Sequence, residues 1–159
     1  MKKLGFIDLF IDEWHANNYP AWIKTARRGT EFELAYAWEK APQNGRPLEK
    51  WCADFGVTPL KSMEEVVEKS DAVFVLAPSN PEVHRELAEI PLKSGKPVFV
   101  DKPFAPTKAD AEAMFELAAK HNTPLMSSSA LRFSTELDAY RNKPGTTYME
   151  TTGGGRSFW

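Results

Sequence analysis

Between Leu4 and Ser128 the chain alternates short apolar runs with longer mixed stretches, and that alternation leaves few folds open. The run Ala72–Ala77 reads AVFVLA and has no polar position. A strand of that kind is buried on both faces, which requires a parallel sheet covered by helices on each side. Leu4–Phe10, Phe32–Trp38, Val57–Leu60, Pro97–Asp101 and Thr123–Ser128 read as the other strands. Helical patterns fall over Tyr19–Arg28, Leu48–Phe55, Glu82–Lys93 and Lys108–His121. Another runs from a cap at Ser62 to Lys69, with Glu65 completing a capping box. Pro20 is expected in a first turn, Gly29 and Gly56 at helix ends, and Ile11–Asn18 as an irregular polar stretch. The expected class is α/β, with right-handed crossovers.

Length and charge narrow the function. The chain has 159 residues and a net charge of −2, without the basic excess of a nucleic-acid protein. No apolar run is long enough for a membrane span. Asp8, Asp12 and Glu13 break the amino-terminal apolar run, so it does not read as a signal peptide and a cytoplasmic location is expected. Cys52 is the one cysteine, which excludes an internal disulfide; it reads as a half-buried helix residue rather than a nucleophile. After Ser129 the alternation stops. Thr135–Asn142 reads as a helix and Thr146–Thr152 as a strand without a hairpin mate. The expectation is one domain over residues 1–130 and the start of a truncated second domain over 131–159. The unpaired last strand makes a homo-oligomer a further expectation.

The stretch Pro97–Thr107, PVFVDKPFAPT, carries the chemistry. A buried strand delivers Asp101 and Lys102 at its carboxyl end, and Pro103 and Pro106 stiffen the exit. Ligands of parallel sheets bind outside those ends.

With its flanks, SGKPVFVDKPFAPT (Ser94–Thr107), this stretch resembles the Gly-x-x-Val-x-x-Glu-Lys-Pro signature of the Gfo/Idh/MocA family, the glucose-fructose oxidoreductase and inositol dehydrogenase relatives, with Asp101 in place of Glu. LAPSNPEVH (Leu76–His84) and SSALRF (Ser128–Phe133) support the resemblance. It implies a Rossmann-like, doubly wound, three-layered sheet binding NAD or NADP. It also implies hydride transfer to or from a sugar-like or polyol hydroxyl. Lys102 would be the catalytic residue, hydrogen-bonding that hydroxyl and stabilising developing negative charge, with Asp101 orienting its ammonium. The cofactor crevice would involve Asp8, Phe10, Glu39, Ala77, Pro78, Asn80, His84, Asp101, Lys102 and Pro103. The family's general base lies in a second domain, so this stretch alone is expected to be inactive.

One departure cuts across that picture. Where the family's pattern would place glycines, near Asp8, Phe10 and Glu13, the chain reads IDLFIDEWH, with no glycine and three acids. Such a turn keeps backbone amides from a pyrophosphate and repels it. Glu39 reads either as an acid for the adenosine ribose or as an exposed loop residue. His84 reads either as packed on the strand-four turn or as a capped helix residue. Two other uses of the acidic turn remain: a metal or sugar site from Asp8, Asp12, Glu13 and His15, or a binding or regulatory module that has lost hydride transfer. Asn17 and Asn18 read as turn formers, and Trp14 and Trp38 as fillers of a vacant adenine site.

Overall fold

The structure, a computed structural model, describes residues 1–43, 45–133, 135, 140, 144 and 145. Six strands make one sheet: β1 Lys2–Asp8, β2 Phe32–Glu39, β3 Thr58–Pro59, β4 Ala72–Val75, β5 Val98–Val100 and β6 Leu125–Met126. Five helices connect them: α1 Trp14–Thr25, α2 Leu48–Phe55, α3 Met63–Lys69, α4 Pro81–Leu92 and α5 Lys108–Lys120. All pairings are parallel, in the order β3-β2-β1-β4-β5-β6. The chain builds outward from β1 to β3, then returns to the other side of β1 for β4. That reversal places a ligand crevice at the carboxyl ends of β1 and β4.

The chain divides into two units, Met1–Ser129 and Ala130–Trp159. Every element above belongs to the first. In the second, Ala130–Phe133 forms a 3-10 turn. Apart from Thr135 and Tyr140, the helix expected over Thr135–Asn142 and the strand expected over Thr146–Thr152 lie outside the described residues.

Two apolar clusters hold the layers together. On one face, Val66 and Val67 of α3, Leu87, Ala88 and Leu92 of α4, and Met114 and Ala118 of α5 pack on Ile7, Val73, Val75, Val98 and Val100. On the other, Ala16 of α1 and Leu48, Trp51 and Cys52 of α2 pack on Phe6 and Ala37. Each large side chain so buried stabilises the fold by about 1.5–3 kcal/mol. Helices cover the second face only over β1 to β3. Phe74 and Phe99 beyond them stay half-buried beside an apolar groove of about 490 Å³, so β4 is closed on one face rather than both.

Polar details fix the connections. Lys96 Nζ donates to the carbonyls of Val67 (2.6 Å), Glu68 (3.0 Å) and Ser70 (2.7 Å), supplying the donors that the carboxyl end of α3 lacks. Ser62 caps α3 by accepting from the Glu65 amide, while Glu65 reaches back to the Lys61 amide instead of that of Ser62.

Several local expectations change. β1 ends at Asp8 rather than Phe10, and α1 starts at Trp14 inside the stretch expected to be irregular. The cause is Glu13, which accepts the amides of His15 and Ala16 and starts the helix early. Pro20 therefore lies in the helix interior, and Asn17 and Asn18 are helical. The helix stops at Thr25, so Gly29 is not its left-handed cap. Gly29 opens a 3-10 turn so close to the Ile23 and Lys24 carbonyls that a Cβ would sit 2.4 and 2.5 Å from their oxygens. Pro91 lies inside α4, which runs through it to Leu92.

Candidate functional site

The carboxyl ends of β1, β2 and β5 and the cap of α1 bring four carboxylates around the crevice. Asp8, the last residue of β1, is fully buried. Its Oδ1 accepts from the amides of Leu9 (2.7 Å) and Ala77 (2.9 Å), tying β1 to the β4 exit; its Oδ2 has no hydrogen-bond partner. Burial, then the nearby Glu13 charge, push the Asp8 carboxyl well above its ordinary range, against the pull of the Ala77, Leu9 and Phe10 amides. Glu39 ends β2 and is buried, with Oε2 accepting the Ile11 amide at 2.8 Å. Glu13 caps α1, and burial raises its carboxyl despite the amides it accepts. Asp101 follows β5, 1% exposed, and its Oδ2 makes no hydrogen bond.

His15 links two of these acids. Its Nδ1 lies 3.3 Å from Glu13 Oε2 and 3.7 Å from Asp101 Oδ2. Tyr19 stacks edge-on against His15, and burial, then the Asp101 and Glu13 charges, raise its phenol. His84 is fully buried on α4. Its Nε2 lies 2.8 and 3.0 Å from the Leu76 and Ala77 carbonyls, and its Nδ1 3.1 Å from that of Phe104. It thus staples the β4 turn to the segment after Lys102. That turn holds two non-glycine residues in the left-handed region, Ala77 (φ 48°) and Ser79 (φ 63°), a conformation kept only where the surroundings enforce it. The Asn80 side chain closes the turn on the Pro78 carbonyl at 2.9 Å.

Lys102 stands between Asp101 and Pro103, across a cis peptide bond to the proline. It is half-buried and makes no hydrogen bond or ion pair among the described residues. Phe10 is half-buried and lines a cleft of about 60 Å³ with Asp12, Glu39, Gln43, Gly45 and Arg46.

Of the residues expected to form the crevice, the structure brings together Asp8, Glu39, Ala77, His84 and Asp101. The acidic turn, however, does not act as a unit. Asp12 turns away to Arg46, accepting its backbone amide (2.8 Å) and guanidinium (2.8 and 3.1 Å), and its carboxyl falls to about 2. The four-residue ligand set of Asp8, Asp12, Glu13 and His15 is thereby broken, and no metal-holding group of three occurs among the described residues. Trp14 is exposed and stacks on His15 and Trp22, while Trp38 packs against the sheet core, so neither fills a vacant adenine site. Cys52 is fully buried rather than half-buried, its thiol pushed up to about 12 by burial, then by the charges of Glu49 and Glu39. Sequence reasoning missed Arg46, which also pairs with Asp54 (3.0 Å) and donates to Asn17. The indole of Trp51 donates to the same Asn17 oxygen at 2.9 Å. No motif marks this network; it exists because α1 starts early enough to bring Asn17 round.

Residues 14–129 match the model of the oxidoreductase family described as having an NAD-binding Rossmann fold. The chain belongs to the Gfo/Idh/MocA oxidoreductase family. An uncharacterized oxidoreductase of Schizosaccharomyces pombe is 30% identical over 102 residues, 64% of this chain and 27% of the relative. A dehydrogenase (MviM) from Clostridium difficile is 29% identical with a TM-score of 0.70, covering 89% of this chain and 43% of that one. The scyllo-inositol dehydrogenase of Lactobacillus casei, solved with NAD(H) and scyllo-inositol, shares the fold at 22% identity and a TM-score of 0.70, with 89% and 40% covered. The chain thus spans less than half the length of each of these relatives.

Members of a Rossmann family hold a pyrophosphate on free backbone amides of the β1–α1 turn. In this member four of those amides are engaged by the chain's own carboxylates. Leu9 donates to Asp8, Ile11 to Glu39, and His15 and Ala16 to Glu13. The residues of the turn do not fit a pyrophosphate in that mode. The β5 end is different, since Lys102 keeps its donors available there.

Proposed function

We propose that this module serves a NAD(P)-linked oxidoreductase acting on the hydroxyl of a sugar or polyol, and that Lys102 meets that hydroxyl. The observation that carries the reading is a half-buried lysine at the β5 end, beside the buried Asp101, with no partner among the described residues. An ammonium so placed donates to an alcohol oxygen and stabilises negative charge as it develops. Asp101 and the His84 staple fix the backbone on either side of it. Support for the substrate class comes from the family and from the inositol-binding neighbour. The 131–159 stretch would begin a second domain carrying the general base, and residues 1–130 alone would not turn over.

The engaged amides of the β1–α1 turn favour a second reading, a module that keeps the fold without hydride transfer. The test is NAD(P)-linked oxidation of a panel of inositols and hexoses by the protein that carries this module, with Lys102→Met beside it. The proposal expects turnover that Lys102→Met lowers by about 10²-fold or more. Turnover that is indifferent to Lys102 refutes its role, and no turnover on any member leaves the second reading.

A further inference from the structure

We infer that the β1–α1 turn is an anion seat filled by the chain's own carboxylates, so that this module takes no diphosphate there. The inference rests on reading the crevice as the module's ligand site, but not on Lys102 as the group that meets a hydroxyl. Helix α1 runs for 12 residues, and its amino end would ordinarily receive an anion. Glu13 Oε2 lies 2.6 Å from the His15 amide, and Glu13 Oε1 accepts from Ala16. The protein has thus put one of its own carboxylates where a phosphate oxygen would go.

The neighbouring amides are used in the same way. Asp8 takes those of Leu9 and Ala77, and Glu39 that of Ile11. Asp8 and Glu39 are themselves buried, with Asp8 at 0% exposure. A second observation points the same way. Asp8 Oδ2 and Asp101 Oδ2 are buried without hydrogen-bond partners, so at Asp101 the floor of the crevice presents an unpaired carboxyl oxygen, not a donor for a phosphate. The basic side chains nearby are already engaged: His15 faces Glu13 and Asp101, and Arg46 faces Asp12 and Asp54. An entering diphosphate would find the Leu9, Ile11, His15 and Ala16 amides taken and carboxylates in its way. At the turn itself the fitting group is neutral and donor-bearing or cationic, and a nicotinamide dinucleotide would have to hold its diphosphate away from it.

The probe is inorganic pyrophosphate, followed residue by residue in the amide NMR spectrum of this chain. Wild type, Glu13→Ala and Glu13→Gln are compared, with circular dichroism to confirm each fold. In wild type the Leu9, Ile11, His15 and Ala16 amides should stay unmoved through about 10 mM pyrophosphate, beyond the millimolar range of weak binding. Glu13→Ala vacates the seat, and its His15 and Ala16 amides should shift saturably, with affinity raised about tenfold or more. Should Glu13→Ala fail to fold, Glu13→Gln carries the comparison, because it fills the seat without the charge and should bind more tightly than wild type. Saturable wild-type shifts at those amides below about 1 mM, or a folded Glu13→Ala no tighter than wild type, overturn the inference. Lys102→Met should change none of these results, so failure here leaves the lysine proposal standing, and the reverse holds.

Discussion

Replacing His84 with leucine tests how the site is held. The imidazole is fully buried and spans two segments: the Leu76 and Ala77 carbonyls at 2.8 and 3.0 Å, and the Phe104 carbonyl at 3.1 Å. The Ala77 carbonyl keeps a second donor, the Asn80 amide at 3.1 Å. Those of Leu76 and Phe104 have no other donor among the described residues. Leucine has comparable bulk and no N–H; either tautomer of the imidazole donates one N–H, so one of these carbonyls loses its donor at about 1–3 kcal/mol. The extra apolar burial of leucine offsets part of that loss, leaving a net destabilisation of about 1–2 kcal/mol. For a unit of this size the melting temperature should fall by about 5 °C. Urea unfolding followed by circular dichroism gives the free energy, and His84→Gln, which retains a donor, should recover part of it. A loss below about 0.5 kcal/mol in a folded His84→Leu would refute the staple, since it is smaller than one ordinary hydrogen bond.

Other consequences are as direct. The Asp12 carboxyl sits near 2, held down chiefly by Arg46; its folded value lies below its unfolded one, so it stabilises above pH 4 and that stability is lost as pH falls from 4 toward 2. Arg46→Ala should remove about 1 kcal/mol at neutral pH, the pair being partly exposed, and flatten that acid limb in urea titrations. Asp8 has the opposite sign: its folded value is raised, so it lowers stability as pH rises above about 4, and Asp8→Asn should lessen that decline, with Glu13, also raised, keeping the rest. Gly5→Ala should cost about 1–3 kcal/mol, because the added Cβ would lie 2.3 Å from Ser70 Oγ and 2.5 Å from Val66 Cγ1. Cys52 should resist a thiol reagent in native protein and react once the chain is unfolded in urea.

The sheet was legible because the longer strands announce themselves by composition: AVFVLA, PVFVD and the runs near Phe6 and Tyr36 leave little choice but a parallel sheet, though β4 is covered on one face only. The cap at Ser62 was legible for the same local reason, a side-chain oxygen three residues before an amide. The start of α1 was not. A glutamate cap is rare beside serine or aspartate, and Glu13 reads as one more charge in an acidic stretch until its oxygens are seen on the amides of His15 and Ala16. The acids of the turn were visible in sequence as a repulsive feature. That each carboxylate satisfies a particular amide depends on Glu39, 28 residues away from Ile11, and no local pattern reports such a contact. The Asp12–Arg46–Asn17–Trp51 network was invisible for that reason too.

The most direct measurement is an amide NMR titration of this chain with NADH and NADPH. A filled turn predicts that the Leu9, Ile11, His15 and Ala16 amides hold their positions through about 1 mM of either dinucleotide. Micromolar binding with shifts centred on those four amides would contradict it and would return this turn to the ordinary role of its family.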